Sequence, residues 1–393
     1  MFLSKFFFKI YKYIKIKIIG LYNLLNIYDK KRIKNLKYLF IDLTVLHETD
    51  SGTGIQRVTK NIYNELCKMD LSYKIVPIYG MRHGQGFYNI KNNKPIKIKE
   101  GDFFFGLDLS VYYIPMNNCF LNKMKKCKIP IYFFIHDMIP IFYPETVEKG
   151  IRKQYKIWLK TIIHYSGIIG NSKATIDDFN IWMKKNYENK LKNLYTNYVH
   201  LGTDICKKNI KINQCKKNEL SFLMVSTVEP RKKYDQLVKS FEILWQKKLN
   251  VKLIIVGRKG WNNDNVCKMI ESSKYFNKQL FWYNKGITDE ELCKLYEKCT
   301  AVIFTSIAEG FGLPIIEAAS FGKPLIIRDI PVFREIANNN AFYFNGEKPE
   351  NLANNIEKWM TLYKENLEPK SYFNCNSWKQ STIELVDKIG LRE

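Results

Sequence analysis

Two glutamates lie on either side of a glycine-rich turn in the second half of the chain. Glu309 follows the apolar run 301–306, and Glu317 falls about one turn inside a helix that we expect to begin at Pro314. Two carboxylates in this arrangement can hold vicinal hydroxyl groups, one set at each end of a nucleotide sugar. A glycine-rich turn before a core helix would explain the glycines but not both acids.

The backbone between the two glutamates offers hydrogen-bond donors. Glycine has no side chain, so the main chain can approach a ligand closely at positions 310 and 312. The N–H groups of residues 311 to 315, other than the one that Pro314 lacks, are expected to point into a crevice, where a helix start binds phosphate or hydroxyl oxygens. The predicted ligand-binding residues of this turn are Gly310, Phe311, Gly312, Leu313 and Glu317.

A histidine and an aspartate end the most apolar run of the first half, 129–137. A polar pair at the carboxyl end of a parallel strand faces the crevice in which open α/β sheets bind ligands. We therefore expect His136 to face that crevice, with a hydrogen-bonded core histidine as the alternative.

Short apolar runs alternate with helical patterns from Leu36 onward. The runs predict strands at 37–42, 73–79, 102–106, 129–137, 166–172, 221–226, 252–257, 280–283, 301–306 and 324–328. The patterns between them predict helices at 55–69, 146–164, 173–185, 234–246, 289–298, 314–321 and 349–363. Alternation of this kind is typical of parallel sheets covered on both faces. We expect an α/β fold with two doubly wound, Rossmann-like domains that face each other across a cleft.

These patterns also suggest domain boundaries. We expect a basic amphipathic segment at 1–36, an N-terminal domain at 37–213 and a C-terminal domain at 214–376. A last helix within 377–393 is expected to pack back on the N-terminal domain. The polar, Lys-rich stretch 206–218 is the expected linker.

The excess of basic residues is concentrated in the N-terminal half of the chain. The 393 residues include 63 Lys and Arg against 38 Asp and Glu, and residues 1–37 alone hold ten basic residues and one acid. This excess points to an anionic partner for the N-terminal half. The 46% of hydrophobic residues excludes a wholly disordered chain. The nine cysteines form no CxxC pair, and dispersed free thiols suit a reducing cytosol.

The N-terminal segment has a helical stripe of apolar residues and a separate lysine face. The stripe consists of Leu3, Phe7, Ile10, Ile14, Ile18, Leu21 and Leu25. Its uncharged runs are far shorter than the ~20 residues that a transmembrane helix needs. The pattern favours a helix that lies in an anionic membrane surface. The alternative is a helix packed on the protein's own core.

The stretch 308–317 resembles the E-x7-E motif of the retaining glycosyltransferases of family 4, which have the GT-B fold. The segments 286–292 and 329–336 are similar to the parts of that family that flank the motif, and residues 36–360 fit it throughout. The segments TGIQRV and EPRK resemble bacterial mannosyltransferases of surface polysaccharide assembly, such as O-antigen or capsule.

The resemblance implies roles for five side chains. Arg231 and Lys232 lie in a turn similar to the family's phosphate-binding loop, where they would bind the diphosphate as it leaves. By composition alone, an exposed basic turn is the better interpretation of this pair. Glu309 would bind the hydroxyls of the transferred sugar and Glu317 the ribose. His136 matches a histidine that lies near the reacting sugar.

Two further loops resemble donor-binding loops of the family. Gly54, at a helix start within 50–58, would lie near the donor phosphates, and Gln56 is within reach of the same cleft. Gly257 and Arg258 would lie near the donor's base. Trp261 either contacts the donor or is a partly buried loop aromatic.

The resemblance implies a retaining, metal-independent transfer of a hexose from a nucleoside diphosphate sugar to an acceptor hydroxyl. No cofactor is expected, since cationic side chains can replace the metal ion. GDP-mannose is the first expectation for the donor, and UDP-sugars stay open. The expected acceptor is a glycan or lipid-linked glycan. The expected location is cytoplasmic, on the inner face of the cytoplasmic membrane.

Two rival functions stay open. A nucleotide-sugar epimerase of the same architecture would isomerise the donor without transferring it. The overall positive charge would also suit a nucleic-acid-binding protein. We find neither a basic face with interleaved aromatics nor a known module, so no nucleic-acid partner is expected.

Overall fold

The computed structural model describes residues 2–29, 31–33, 35–205, 219–371 and 373–392, and of residues 2–11 it describes only the backbone. It contains two compact units. The first consists of Met1–Met138, Gly150–Val199 and Trp378–Glu393, and the second of Ile139–Lys149 and His200–Ser377. The last helix therefore belongs to the first unit. The expected linker, 206–218, lies outside the described residues.

The first unit is built on a seven-stranded sheet. Its strands are β1 (Lys37–Asp42), β2 (Tyr73–Gly80), β3 (Phe87–Asn89), β4 (Phe103–Gly106), β5 (Ile131–Ile135), β6 (Gly167–Gly170) and β7 (Tyr195–Tyr198). They lie in the order β3-β2-β1-β4-β5-β6-β7, and all neighbours are parallel except β2 and β3. Up to β6 this is the strand order of doubly wound, nucleotide-binding folds.

The second unit repeats that order in a wholly parallel sheet of six strands. The strands are β8 (Leu220–Val225), β9 (Val251–Val256), β10 (Leu280–Tyr283), β11 (Ala301–Phe304), β12 (Leu325–Arg328) and β13 (Phe342–Phe344). They lie in the order β10-β9-β8-β11-β12-β13. The expectation of two Rossmann-like domains is confirmed.

Helices connect the strands of both units. In the first unit they are α1 (Phe2–Leu25), α2 (Thr44–Glu48), α3 (Gly54–Leu66), α4 (Tyr113–Met116), α5 (Asn118–Lys126), α7 (Ile151–Ile162), α8 (Lys173–Leu191) and α15 (Trp378–Lys388). In the second they are α6 (Ile139–Phe142), α9 (Tyr234–Gln246), α10 (Asp264–Ser272), α11 (Asp289–Lys298), α12 (Leu313–Ser320), α13 (Pro331–Ala337) and α14 (Pro349–Lys364).

The central strands are continuous apolar runs because both of their faces are buried. All four residues of β4 and of β11 are buried. In the second unit, the ring of Trp359 on α14 packs edge-on against Phe222 of β8, and Phe222 in turn packs against Phe241 of α9. This core fixes the positions of the strand ends that carry the loops.

Two further observations concern the cysteines and the membrane. Among the cysteines that the structure describes, six are free thiols and Cys293 is disulfide-bonded, so the expectation of dispersed free thiols is wrong at that position. Among the described residues, no helix combines the length and the apolar content that crossing a bilayer requires.

An ion pair anchors the segment between α1 and β1. Both terminal nitrogens of Arg32 donate to the carboxylate of Asp102, at 2.8 Å each, and both side chains are at most 2% exposed. Asp102 also accepts from the backbone N–H groups of Tyr38 and Lys99. Burial raises the pKa of Asp102, and Arg32 opposes that rise. The segment that follows α1 is therefore fixed to the start of the central strand β4 by a buried charge pair.

We expect Arg32→Ala to lower the free energy of unfolding by about 3–5 kcal/mol, because it leaves the buried Asp102 carboxylate without its cation. Urea unfolding followed by circular dichroism measures the change. Lys31→Ala, at an exposed neighbouring position, is the matched control and should be close to neutral. A loss below about 1 kcal/mol for Arg32→Ala would contradict this account of the anchor.

Candidate active site

The candidate site lies where the strand order of the second sheet reverses. β8 and β11 are neighbours there, and the chain proceeds from them towards opposite edges of the sheet. Parallel sheets of this type bind ligands outside the carboxyl ends of the strands at such a switch point. The loops after β8 and β11 carry Arg231, Lys232 and Glu309. The topology therefore brings together residues that are almost 80 positions apart.

The basic turn after β8 is held in place by its own backbone. Residues Pro230–Lys232 form one turn of 3-10 helix, and Pro230 begins it with a fixed φ. The hydroxyl of Thr305, just after β11, donates to the carbonyl oxygen of Lys232 at 2.5 Å. The N–H of Ile307 donates to the carbonyl of Arg231 at 2.9 Å. These two bonds tie the turn to the end of β11.

Arg231, Lys232 and Glu309 form a charged cluster. Arg231 Nη1 lies 2.7 Å from Glu309 Oε2 and also donates to the Ala308 carbonyl at 3.0 Å. Lys232 Nζ donates to the other carboxylate oxygen, Oε1. Arg231 Nε lies 3.1 Å from Glu229 Oε2. Both oxygens of one carboxylate are thus bound by two different cations.

Burial makes these charges depend on one another. The side chains of Lys232 and Glu309 are each 10% exposed. Burial lowers the pKa of Lys232, and the nearby Arg231 lowers it further, while Glu309 and Glu229 raise it. For Glu309, burial works to raise the pKa, but Arg231 and Lys232 outweigh it and lower the pKa to about 2. The cluster is therefore a site in which two cations hold an anionic group away from bulk water.

The glycine-rich turn leads from Glu309 into α12. Gly312 has a φ of +97°, which strains any residue with a side chain, and a Cβ there would also crowd the Phe333 ring at 3.1 Å. The N–H of Ile315 donates to the Gly312 carbonyl at 2.9 Å. The expectation that this amide points into a crevice is therefore wrong, because the helix start uses it internally. Gly310 and Phe311 are buried.

Glu317 is directed into the protein. It is 1% exposed, and its Oε2 accepts a hydrogen bond from the hydroxyl of Tyr296 on α11 at 3.1 Å. Tyr296 also stacks on Phe321. The structure therefore places the two glutamates in different surroundings: Glu309 lies between two cations, whereas Glu317 is bound by a buried tyrosine. The ribose-binding role of Glu317 stays a prediction.

The loop after β9 lies against the loop after β8. A Cβ on Gly257 would fall 1.8 Å from the Ser226 carbonyl oxygen, so this position accepts only glycine. Arg258 is exposed, and its guanidinium lies near Gly286, after β10. Trp261 donates its ring N–H to the carbonyl of Thr146 at 2.9 Å. This bond supports the structural interpretation of Trp261, as a half-buried loop aromatic.

In the first unit, Gly54 begins α3 and Thr53 caps it. A Cβ on Gly54 would meet nothing within 4 Å, so the helix start is open. The side chain of Gln56 accepts from the N–H groups of Ser51 and Thr53, at 2.8 and 3.2 Å. Gln56 is 5% exposed. Its expected availability to a ligand is therefore wrong, because the loop uses its amide to form a capping box.

His136 follows β5 and is buried, with 2% of its surface exposed. Its Nε2 lies 3.1 Å from the carbonyl oxygen of Leu107, and its Nδ1 has no hydrogen-bond partner among the residues that the structure describes. Because a carbonyl oxygen can only accept a hydrogen bond, the ring proton lies on Nε2, and Nδ1 is an acceptor. Burial lowers the pKa of His136 to about 4, so the ring is neutral at pH 7. A bare Nδ1 is the feature that distinguishes it from a fully bonded core histidine.

Sequence reasoning missed two acidic residues, one in the loop after β8 and one at the end of β1. Glu229 completes the charged cluster and stands beside Arg231 in the quoted turn. Asp42 is the last residue of β1, is fully buried, and is hydrogen-bonded to the N–H of Thr44 at 3.1 Å. Burial, and then the nearby Asp108, raise the pKa of Asp42 to about 7. The rule that selected His136, a polar residue ending an apolar run, would also have selected Asp42.

A parallel doubly wound sheet with a charged cluster at its switch point defines the second unit as a Rossmann-like domain. Residues 207–373 match the family model described as "Glycosyl transferases group 1". This part of the chain is therefore similar to glycosyltransferase group 1 domains, which agrees with the family resemblance.

Curated relatives share this similarity over most of the chain. The "Serotype-specific mannosyltransferase WbdA" of Escherichia coli is 34% identical over 387 residues, which cover 91% of this chain and 46% of that protein. The "O-antigen chain mannosyltransferase RfbU" of Salmonella typhimurium is 29% identical over 212 residues, covering 54% of this chain and 55% of that protein. The chain thus spans about half the length of these relatives.

Solved structures with low sequence identity share the fold. Anabaena Alr3699/HepE, in complex with UDP and glucose, matches with a TM-score of 0.59 and 16% identity, over 90% of this chain and 95% of that chain. The N-terminal domain of Candida albicans trehalose-6-phosphate phosphatase matches with a TM-score of 0.63 and 14% identity, over 94% of this chain and all of that domain. The fold is GT-B.

We expect the ionised Glu309 to make acid unfolding steeper. Its folded pKa of about 2 lies below the ordinary value of 4.5, so its stabilisation is complete above pH 4.5 and is lost as the pH falls towards 2. Between pH 4.5 and pH 2, the free energy of unfolding should therefore fall by on the order of 2–3 kcal/mol more for wild type than for Glu309→Gln. Urea unfolding across this pH range measures the difference. Glu350→Gln, at an exposed position, should behave as wild type, and parallel curves for wild type and Glu309→Gln would contradict the cluster's role.

Proposed function

We propose that this chain is a glycosyltransferase that moves a hexose from a nucleoside diphosphate sugar to a hydroxyl group of a glycan. The single observation that carries this proposal is the cluster of Arg231, Lys232 and Glu309 at the switch point of the second sheet. The group 1 domain match and the mannosyltransferase relatives support the same activity.

In this proposal the two cations bind the diphosphate of the donor. The Glu309 carboxylate supports this assignment, because it is an anion that places one oxygen towards each cation. Negative charge builds up on the leaving phosphate as the glycosidic bond breaks. Cations already fixed in a site of low solvent exposure stabilise that charge more strongly than they would in water.

Glu309 then changes partner. When the diphosphate takes its place between the cations, the carboxylate becomes free to accept hydrogen bonds from the hydroxyls of the sugar. We assign the ribose to Glu317, and Gly54, Gly257, Arg258 and His136 stay predicted contacts of the donor. The neutral ring of His136, with its bare Nδ1, suits a hydroxyl that donates a hydrogen bond.

We propose a retaining reaction without a protein nucleophile or a metal ion. The acceptor hydroxyl attacks the anomeric carbon from the face that the phosphate leaves. The bond to the phosphate oxygen breaks, and that oxygen takes the acceptor's proton. Arg231 and Lys232 supply the positive charge that a metal ion supplies in other transferases.

The proposed donor is GDP-mannose, and the proposed acceptor is a glycan or lipid-linked glycan at the inner face of the cytoplasmic membrane. The sugar follows from the relatives, which are described as mannosyltransferases. The acceptor follows from the basic N-terminal half of the chain. A UDP-sugar is the alternative donor.

We expect Lys232→Ala to lower kcat/KM for transfer by about 100- to 1,000-fold, because it removes a charge that acts on the leaving group. Steady-state kinetics with the donor and a glycan acceptor measure the loss, and circular dichroism confirms the fold. Lys239→Ala, at an exposed position of α9, is the matched control. Near-normal turnover by Lys232→Ala would overturn the assignment.

Incubation with nucleotide sugars separates transfer from epimerisation. We expect GDP-mannose to raise the thermal midpoint of the protein, since a ligand stabilises the state that binds it. Transfer should require an acceptor, and NMR of the product should show that the donor's anomeric configuration is kept. Isomerisation of the donor in the absence of an acceptor would favour the epimerase instead.

A further inference from the structure

The N-terminal helix α1 has an exposed apolar ridge. Ile14, Ile18, Leu21 and Leu25 expose 50%, 61%, 59% and 67% of their surface. At 3.6 residues per turn, these four positions lie within about 60° of one another around the helix axis. Single exposed aliphatic side chains are common on protein surfaces, but a contiguous row of them marks an interaction surface.

The opposite side of α1 already packs on the first unit. Asn23, about half a turn away from the ridge, is 8% exposed. Its side-chain amide donates to the Gln85 carbonyl at 2.9 Å and to the Tyr88 hydroxyl at 2.8 Å. Lys123 Nζ donates to the Leu24 carbonyl at 2.6 Å. The helix is held by this face, so the ridge is not the face that packs on the protein's own core.

Charge indicates what the ridge binds. Lys15 and Lys17 lie on either side of it, and both are exposed, as is Lys12. Residues 1–28 contain five lysines and no acidic residue. A second copy of the chain on this ridge would bring lysines next to lysines, which repel each other. An anionic lipid surface would neutralise the lysines and take up the aliphatic side chains.

We propose that α1 docks the protein on an anionic bilayer surface. The helix lies in the plane of the interface, with the ridge of Ile14, Ile18, Leu21 and Leu25 at the boundary of the acyl chains. Lys15 and Lys17 lie among the headgroups on the two sides. This inference rests on the helix and its charges and is independent of which sugar is transferred.

Flotation of the full chain with vesicles tests the proposal. Wild type should float with vesicles of phosphatidylglycerol and phosphatidylethanolamine, and much less with vesicles of phosphatidylcholine alone. The triple variant Ile14→Ser/Ile18→Ser/Leu21→Ser should lower the ratio of bound to free protein at least tenfold. The matched control Ile181→Ser/Leu367→Ser removes two aliphatic side chains that are 58% and 65% exposed elsewhere, and it should bind as wild type does.

Charge and oligomeric state are tested with the same preparations. Lys15→Gln/Lys17→Gln should weaken binding and reduce its dependence on salt. The proposal is overturned if the triple variant floats like wild type, or if phosphatidylcholine binds wild type equally well. It is also overturned if wild type sediments as a dimer without lipid and the triple variant as a monomer, because a second copy then covers the ridge.

The fold and the transfer reaction supply independent controls. The triple variant should keep the wild-type thermal midpoint and the wild-type rate on a water-soluble acceptor, because its three substitutions are at exposed positions. Failure of the transferase proposal would leave the flotation result unchanged. If the triple variant loses both flotation and its folded state, the variant Lys15→Gln/Lys17→Gln decides the question. This lysine variant must then bind vesicles more weakly and with less dependence on salt than wild type. If it does not, the proposal fails.

Discussion

The ion pair between Glu309 and the two cations Arg231 and Lys232 is the interaction on which the site depends. A buried lysine beside an arginine is unfavourable, because both lose water and repel each other. Glu309 compensates for this in the protein without ligand, and the pKa of its carboxyl falls to about 2 as a result. A donor diphosphate carries the same type of charge. In the proposed reaction, the diphosphate would replace Glu309 as the partner of the two cations.

Topology explains why this interaction can form. The cations follow β8 and the carboxylate follows β11, and these strands are adjacent only because the sheet is doubly wound. Thr305 and Ile307 then bind the carbonyls of the basic turn, so the positions of the side chains follow from those of the strands. The first sheet repeats the same order, with the buried Asp42 and Asp108 near its own switch point. Both sheets thus place ionisable groups where a Rossmann-like sheet binds ligands.

Much of the fold could be predicted from the sequence, because buried parallel strands are continuous apolar runs. The run 37–42 is β1, and 280–283 is β10, without any shift in their bounds. The short strands β3, β7 and β13 were not predicted: they have three or four residues each, and β7, with the sequence YTNY, has no apolar run. In the site, the family resemblance singled out Arg231, Lys232 and Glu309, but neither the ion pairs between them nor the partner of each amide was predicted. The amides of Gln56 and Ile315 bind the backbone of their own loops, and Trp261 binds a carbonyl 115 positions away. Such pairings depend on geometry that only the folded chain has.

Calorimetric titration with GDP tests most directly whether the two cations bind the donor's diphosphate. Glu309 competes with the diphosphate for these cations, and GDP lacks the hexose whose hydroxyls would replace that contact. Glu309→Gln should therefore bind GDP several-fold more tightly than wild type, although it transfers sugar poorly. Lys232→Ala should bind GDP at least tenfold more weakly. If Glu309→Gln bound GDP more weakly than wild type, or Lys232→Ala bound it equally well, the diphosphate would lie elsewhere and the account would be wrong.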